Sequence, residues 1–241
     1  MIGVILAAGK GSRLGNLTNE TPKSLLRLNR DMTLLDYNLI MLENLKVREI
    51  LIITGFESQQ IEEHVSNMPN VKCIFNPFWN HCNVLGSFYI ALPYINDDFF
   101  FLHADTLVDF SVWSRINDMK ENVILPFQRK VCGDEEMKIK LDSSGNLLVI
   151  SKLIDPNEAD GEFIGIAKFS QSFLKHIKRL SEKLLKSGYL NLYMESVIEE
   201  AIKENIVIKT VDIKEAFFVE IDFLEDYRLA LTEFSNFSRN L

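Results

Sequence analysis

Four side chains stand where they could act together on a phosphate: Arg13, Lys23, Asp105 and Asp222. Arg13 lies in LAAGKGSRLG, residues 6–15, where an apolar run opens into a loop holding Gly9, Gly11 and Gly15. Glycines directly after a strand let backbone amides wrap an anion. Lys10 and Arg13 inside the loop favour an anion over a plain turn. In TPKSLL, residues 21–26, Pro22 holds the backbone extended and Lys23 stands just before an apolar pair. Lys23 closes the loop that the glycines open, so it can reach back to the same phosphates. Two acids follow apolar runs far apart in the chain, Asp105 in FFFLHADTLVD and Asp222 in FFVEIDFLEDY. An acid after a strand sits at the carboxyl edge of a sheet, where α/β proteins bind ligands. Two such carboxylates with phosphate oxygens suit Mg²⁺, which prefers an octahedral set of oxygens. Each aspartate is equally the residue type that caps a helix. Glu220 joins Asp222 on one side only if that strand stays regular. The sequence shows no obvious catalytic His or Cys, so the chemistry expected is positioning and charge stabilisation.

The glycine spacing is GxGxxxG, one residue longer than the dinucleotide fingerprint GxGxxG. Residues 15–24 are polar and contain Pro22, so no helix is expected there and the loop should run from about 8 to 33. Asp36 lies at roughly the distance of a ribose-binding acid, but inside a helical pattern; Glu57 is the other candidate. A nicotinamide-binding protein and a non-catalytic nucleotide binder are the rival readings of this loop.

The elements that must carry these residues alternate. Strands are expected at 2–7, 49–54, 71–75 and 99–103, and helices at 34–46, 58–66 and 84–92. Repeated β-α-β implies a mostly parallel central sheet with helices on both faces, an α/β Rossmann-like fold. Beyond about residue 120 strands are expected at 122–127, 136–142, 146–152 and 162–169, giving a small β-rich elaboration on the substrate side. Helices at 170–186 and 192–204, strands at 206–212 and 217–221 and a helix at 224–235 complete the pattern. The simplest organisation is a single domain, residues 1–120 forming a nucleotide-binding half and 121–241 an acceptor half with the second metal ligand.

LAAGKGSRLG followed by TPKSLL resembles the signature of the nucleotidyltransferases with the sugar-nucleotide-pyrophosphorylase fold, and NPFWNHCNVLGSFYIAL at 76–92 is most similar to their phosphocholine cytidylyltransferase branch. That resemblance implies a loop wrapped around a nucleoside triphosphate, here CTP, with contacts from Leu6, Ala7, Ala8, Gly9, Gly11, Ser12, Arg13 and Lys23. It implies Mg²⁺ on Asp105 and Asp222. It places Gly55, Asn83 and Ser87 on the base side, although Asn83 serves equally as a helix cap. DGEFIGIAKFS at 160–170 and YLNLYMESVIEEAI at 189–202 are similar to the same branch, with Glu162, Tyr193 and Glu195 facing an acceptor. Carboxylates beside an aromatic ring suit an ammonium group. The stretch 128–140, QRKVCGDEEMKIK, offers no aromatic wall, and Trp79 and Trp113 are the only tryptophans, Trp113 on a helix facing away. Phosphocholine, aminoethylphosphonate and glutamine phosphate are therefore all candidate acceptors, with sugar 1-phosphates as the alternative from the same fold. The family implies products used in capsule or other cell-surface decoration.

Composition narrows the rest. A net charge of −8 argues against nucleic acid as a partner. No apolar run reaches the roughly 18 residues that span a bilayer, and Met1 leads straight into a strand, so membrane insertion is not expected and the cytoplasm is the default. Cys73, Cys82 and Cys132 are scattered, and the expectation is free thiols. The four histidines lack zinc spacing. The oligomeric state stays open, a homodimer included.

Overall fold

The computed structural model of the chain describes residues 1–237. Strands β1 (Ile2–Ala7), β2 (Glu49–Thr54), β3 (Val71–Phe75) and β4 (Phe99–His103) lie in the order β3-β2-β1-β4, all parallel. β1 is hydrogen-bonded on both edges and covered on both faces, which is why IGVILA reads as an unbroken apolar run. Ile5 and Ala7 face one core with helices α1 (Leu34–Asn44), α2 (Ser58–His64), α4 (Phe110–Asp118) and α7 (Leu224–Phe237). Ile2 and Val4 face the other, with α3 (Val84–Ala91), α5 (Leu174–Lys186) and α6 (Glu195–Lys203). Trp113 is fully buried on α4.

The same sheet continues through the second half of the chain. β10 (Ile166–Phe169) pairs antiparallel with β4, followed by β6 (Val123–Gln128), β9 (Gly161–Phe163), β7 (Lys138–Leu141) and β8 (Leu147–Ser151), while β11 (Lys209–Asp212) runs parallel to β6. A separate two-stranded sheet joins β5 (Thr106–Val108) to β12 (Phe218–Glu220).

Four local expectations are corrected. The strand expected over 162–169 is two strands, β9 and β10, because the chain turns at 164–165 to leave one neighbour for another. Residues 104–121, for which no strand was expected, carry β5 before α4. The loop from 8 to 33 contains two short 3₁₀ segments, Ser12–Thr18 and Lys23–Leu25, although no α-helix. The helix expected over 34–46 stops at Asn44, where Lys46 adopts a left-handed conformation. The three cysteines are free. Among the described residues no helix is long and apolar enough to cross a membrane.

Candidate active site

The glycine loop leaves β1 at the carboxyl edge of the sheet. Gly11 has φ 66°, and its carbonyl accepts hydrogen bonds from the Leu14 amide and the Thr18 hydroxyl. A Cβ at Gly11 would lie 3.1 Å from Lys23 Cβ, so the turn and the lysine are packed together. The Lys23 side chain is buried, and its ammonium donates at 2.7 Å to Asp105 Oδ2 and at 2.7 Å to Asp222 Oδ1. Burial pulls its pKa down, but the two carboxylates outweigh burial and hold it well above the ordinary lysine value. Asp105 is shifted the other way: burial favours its neutral form, yet Lys23 and His103 keep it ionised.

The small sheet explains how two distant acids meet. Glu220 on β12 pairs in register with Thr106 on β5, and the Ile221 amide donates to the Asp105 carbonyl. Asp222 lies beyond the strand end, so Glu220 and Asp222 do not share a regular strand. Asp222 accepts from Arg13 at 3.0 Å, while Glu220 lies 3.3 Å from His103 Nδ1. The Asp226 carboxylate accepts from the amides of Asp222 and Phe223 and fixes the turn ahead of α7.

Two cavities meet at the Asp105–Asp222 pair. The smaller, about 240 Å³, is walled by Leu6, Ala7, Gly9, Gly11, Ser12, Arg13 and Lys23. The larger, about 760 Å³, runs past Ala8, Asn83 and Ser87 to Glu162, Tyr193 and Glu195. Asn83 caps α3 by accepting from the Val84 amide and also lines the cavity. Ser87 accepts from Asn76, a fully buried side chain that also receives the Phe78 amide. Gly55 is not a wall of either cavity; it lies beneath Trp79, where a Cβ would come within 2.5 Å of Trp79 Cβ and 2.6 Å of the Ala8 carbonyl oxygen. Its place is to let Trp79 close over the glycine loop.

The far end of the larger cavity is charged. Glu162 is buried, pairs with Lys130 at 3.1 Å, and has its pKa pushed up to about 7 by burial. Lys130 also meets Glu136 at 2.7 Å. Glu195, first residue of α6, is buried and shifted upward for the same reason. Lys152 lies 5.5 Å from the Tyr193 ring centroid. The buried Lys138 ammonium donates to the carbonyls of Gly133, Asp134 and Glu136 and so pins the segment that carries Glu136.

His103, which the sequence reading did not single out, stands in the site beside Asp105 and Glu220. The histidine is the last residue of β4, Asp105 lies in the turn that follows, and both line the larger cavity. Burial lowers its pKa, but the hydrogen bond to Glu220 and the surrounding carboxylates raise it to about 9. At neutral pH it is an imidazolium and cannot act as a base.

The residues fit a divalent cation. Asp105 and Asp222 already converge on one cationic atom, and Asp105 Oδ1 is buried without a hydrogen-bond partner. His103, Asp105 and Glu220 also place ligand atoms within 4.8 Å of one another. The two aspartates suit Mg²⁺ better, because it favours oxygen ligands and His103 holds its proton.

Of the two candidate ribose-binding acids, Asp36 is already engaged in the capping box of α1 with Thr33 and in a contact with His64, and Glu57 is exposed.

Residues 3–130 match the model of the MobA-like NTP transferase domain, and they include the glycine loop, Lys23 and Asp105. The chain belongs to this family. Among curated relatives, the transferase is 22% identical to a CTP:phosphoglutamine cytidylyltransferase of Campylobacter jejuni, over 96% of this chain and 99% of the relative. It is 24% identical to a choline-phosphate cytidylyltransferase of Streptococcus pneumoniae, over 95% and 96% of the two chains. Its fold matches a solved CTP:phosphocholine cytidylyltransferase from Streptococcus pneumoniae with TM-score 0.80, 22% identity and coverage of 96% and 98%.

Proposed function

We propose that this transferase moves CMP from CTP onto the phosphate or phosphonate of a small ammonium-bearing acceptor and releases pyrophosphate. The observation that carries the reading is the Lys23 ammonium held between Asp105 and Asp222 where a glycine-walled cavity meets a larger acidic one. Relatives that use CTP with phosphorylated acceptors support the choice of nucleotide and acceptor.

In this mechanism the triphosphate lies along the amides of Gly9 to Ser12, and Arg13 and Lys23 neutralise its charge. Asn83 and Ser87 meet the base, small polar groups that match a cytosine amine and carbonyl. An acceptor phosphate is largely a dianion at neutral pH, since its second pKa is near 6. Its oxygen attacks the α-phosphorus in line, the bond to the β-phosphate oxygen breaks, and pyrophosphate carries that electron pair away. No proton need be removed, which agrees with a protonated His103. Asp105 and Asp222 would hold Mg²⁺, whose chemistry there is to withdraw charge from the reacting phosphates. Lys23 then leaves the carboxylates for the phosphates. The activated product would serve later attachment to a surface glycan or lipid.

The test crosses CTP, UTP, ATP, GTP and dTTP with phosphocholine, aminoethylphosphonate, glutamine phosphate and hexose 1-phosphates, reading pyrophosphate release. CTP with an ammonium-bearing acceptor should be fastest. Release with no pair refutes the reading. A best rate with a hexose 1-phosphate moves it to the sugar-nucleotide branch.

A further inference from the structure

The acceptor half of the cavity carries two charges that nucleotidyl transfer does not use. Glu195 is only 4% exposed, and its Oε2 finds no hydrogen-bond partner among the described residues. A buried carboxylate oxygen without a donor is an unmet demand that a bound ligand can satisfy. Lys152 makes no ion-pair contact among the described residues; its ammonium rests over the Tyr193 ring. Both side chains line the cavity that Asp105 opens into. The wall thus offers a buried carboxylate oxygen without a donor and a cation that makes no hydrogen bond or ion pair with it among the described residues, although Lys152 and His103 both lie near enough to favour the charged form of Glu195. Their complement is a ligand that carries both an N–H cation and an anion.

A quaternary ammonium answers neither demand. It has no N–H for Glu195 Oε2. The Tyr193 face that would attract it already carries the Lys152 cation, so the two like charges would compete for one ring. Of the other aromatics on the wall, Trp79 packs edge-on against Phe56 with centroids 5.7 Å apart, Phe223 already carries the Arg13 guanidinium 5.5 Å from its centroid, Phe163 is buried, and Phe218 lies on β12. A neutral sugar leaves Lys152 without an anion.

We propose that the acceptor is a phosphorylated zwitterion of the amino-acid type, its primary ammonium donating to Glu195 and its carboxylate meeting Lys152. The proposal rests on the CMP-transfer reading above and narrows its acceptor. Lys152 and Glu195 are then the residues that set acceptor specificity, and neither touches the reacting phosphorus.

Three small probes separate the contributions. O-phosphoserine is phosphoethanolamine with a carboxylate added; phosphocholine is phosphoethanolamine with three methyl groups added. Glutamine phosphate supplies a longer zwitterion. Pyrophosphate release with CTP should give kcat/KM in the order zwitterion, phosphoethanolamine, phosphocholine, with about tenfold between the first two, as expected when a buried polar group loses its partner. In K152M the ratio of zwitterion to phosphoethanolamine should collapse toward one, mainly through KM. E195Q should weaken both primary amines, with phosphocholine least affected. CTP affinity measured by calorimetry reports whether each variant is folded. If phosphocholine is the best acceptor, or K152M leaves the ratio unchanged, the zwitterion assignment is wrong while the transfer reading stands. If no acceptor of any class releases pyrophosphate although CTP binds, the transfer reading falls and takes this assignment with it.

Discussion

Lys23 does the work of a counterion until a nucleotide arrives. It is buried beside one carboxylate that is mostly covered and another that is about a third exposed. Lys23→Met keeps the aliphatic stem and removes the charge. The variant should lose about 10²–10³ in kcat, the scale of one lost electrostatic contact in a transition state. It should also lose roughly 1–3 kcal/mol of stability, because Asp105 is left buried without its cation; screening at Asp222 keeps this below a fully buried pair. Millimolar Mg²⁺ should recover more of the thermal midpoint in Lys23→Met than in wild type, since the ion can occupy the abandoned position. Equal recovery in both would show that the carboxylates do not converge on a metal. Glu162 gives a second prediction at this scale. Its folded pKa of about 7 lies above its ordinary value of 4.5. Between those values the folded protein holds a proton that the unfolded chain has released. Stability is therefore fully present below about pH 4.5 and falls as pH rises toward 7, by at most roughly 3 kcal/mol. Urea denaturation at pH 5 and pH 8 should show this slope in wild type and a flatter one in Glu162→Gln. The motifs made Arg13, Lys23, Asp105 and Asp222 visible in the sequence because each follows a strand or a glycine turn. His103 and Asp226 escaped notice because their importance lies in partners more than a hundred residues away or in a backbone turn.

The elements fall into those that betray themselves and those that depend on a neighbour. β1, β2 and β4 match their expected spans because strands buried on both faces are almost wholly apolar, and the edge strand β3 matches as a short run bounded by polar turns. β12 falls within the strand expected at 217–221, whereas β5, three residues long and not expected, exists because β12 completes its hydrogen bonds. Yet this minor sheet brings Asp105 to Asp222. The loop between β1 and α1 shows a similar dependence. Gly11 is left-handed and packed on Lys23, whereas a Cβ on Gly9 would meet nothing within 4 Å. Gly11→Ala should therefore cost about 1–2 kcal/mol of stability through backbone strain and push Lys23 out of line. Gly9→Ala should leave the denaturation midpoint within about 0.5 kcal/mol, as for a surface change, and raise the KM for CTP by intruding on the phosphates. A destabilised Gly9→Ala with unchanged KM would move the phosphate cradle elsewhere.

At the scale of the whole molecule, one sheet carries a parallel half that ends at the glycine loop and an antiparallel half that ends at Glu162, and α7 packs in the core beneath the Asp222 turn. Asp222 sits in the turn before α7, and the far end of that helix is anchored by Phe234, which is buried edge-on against Tyr37 of α1 with centroids 6.0 Å apart. Tyr227 adds a hydrogen bond to the Arg27 carbonyl, beyond Lys23 on the same loop. Asp222 thus precedes a helix that is anchored by packing well outside the cavity. Leu180 on α5 is just as buried but belongs to the core on the opposite face of the sheet. Phe234→Ala and Leu180→Ala should each cost about 3–5 kcal/mol, since both open a cavity in a packed core. Their effects on catalysis should part. Measured well below the unfolding midpoint, Leu180→Ala should keep kcat within about twofold, because Leu180 lies in the core opposite α7 and holds neither Asp105 nor Asp222. Phe234→Ala should lower kcat more than tenfold, since a displacement of about 1 Å at a positioning residue costs on the order of 10²-fold. Hydrogen exchange should show faster opening of α7 in Phe234→Ala, with β1 and β4 still protected. If both variants lose activity in proportion to stability alone, α7 is only a piece of the core and Asp222 is held by its local turn.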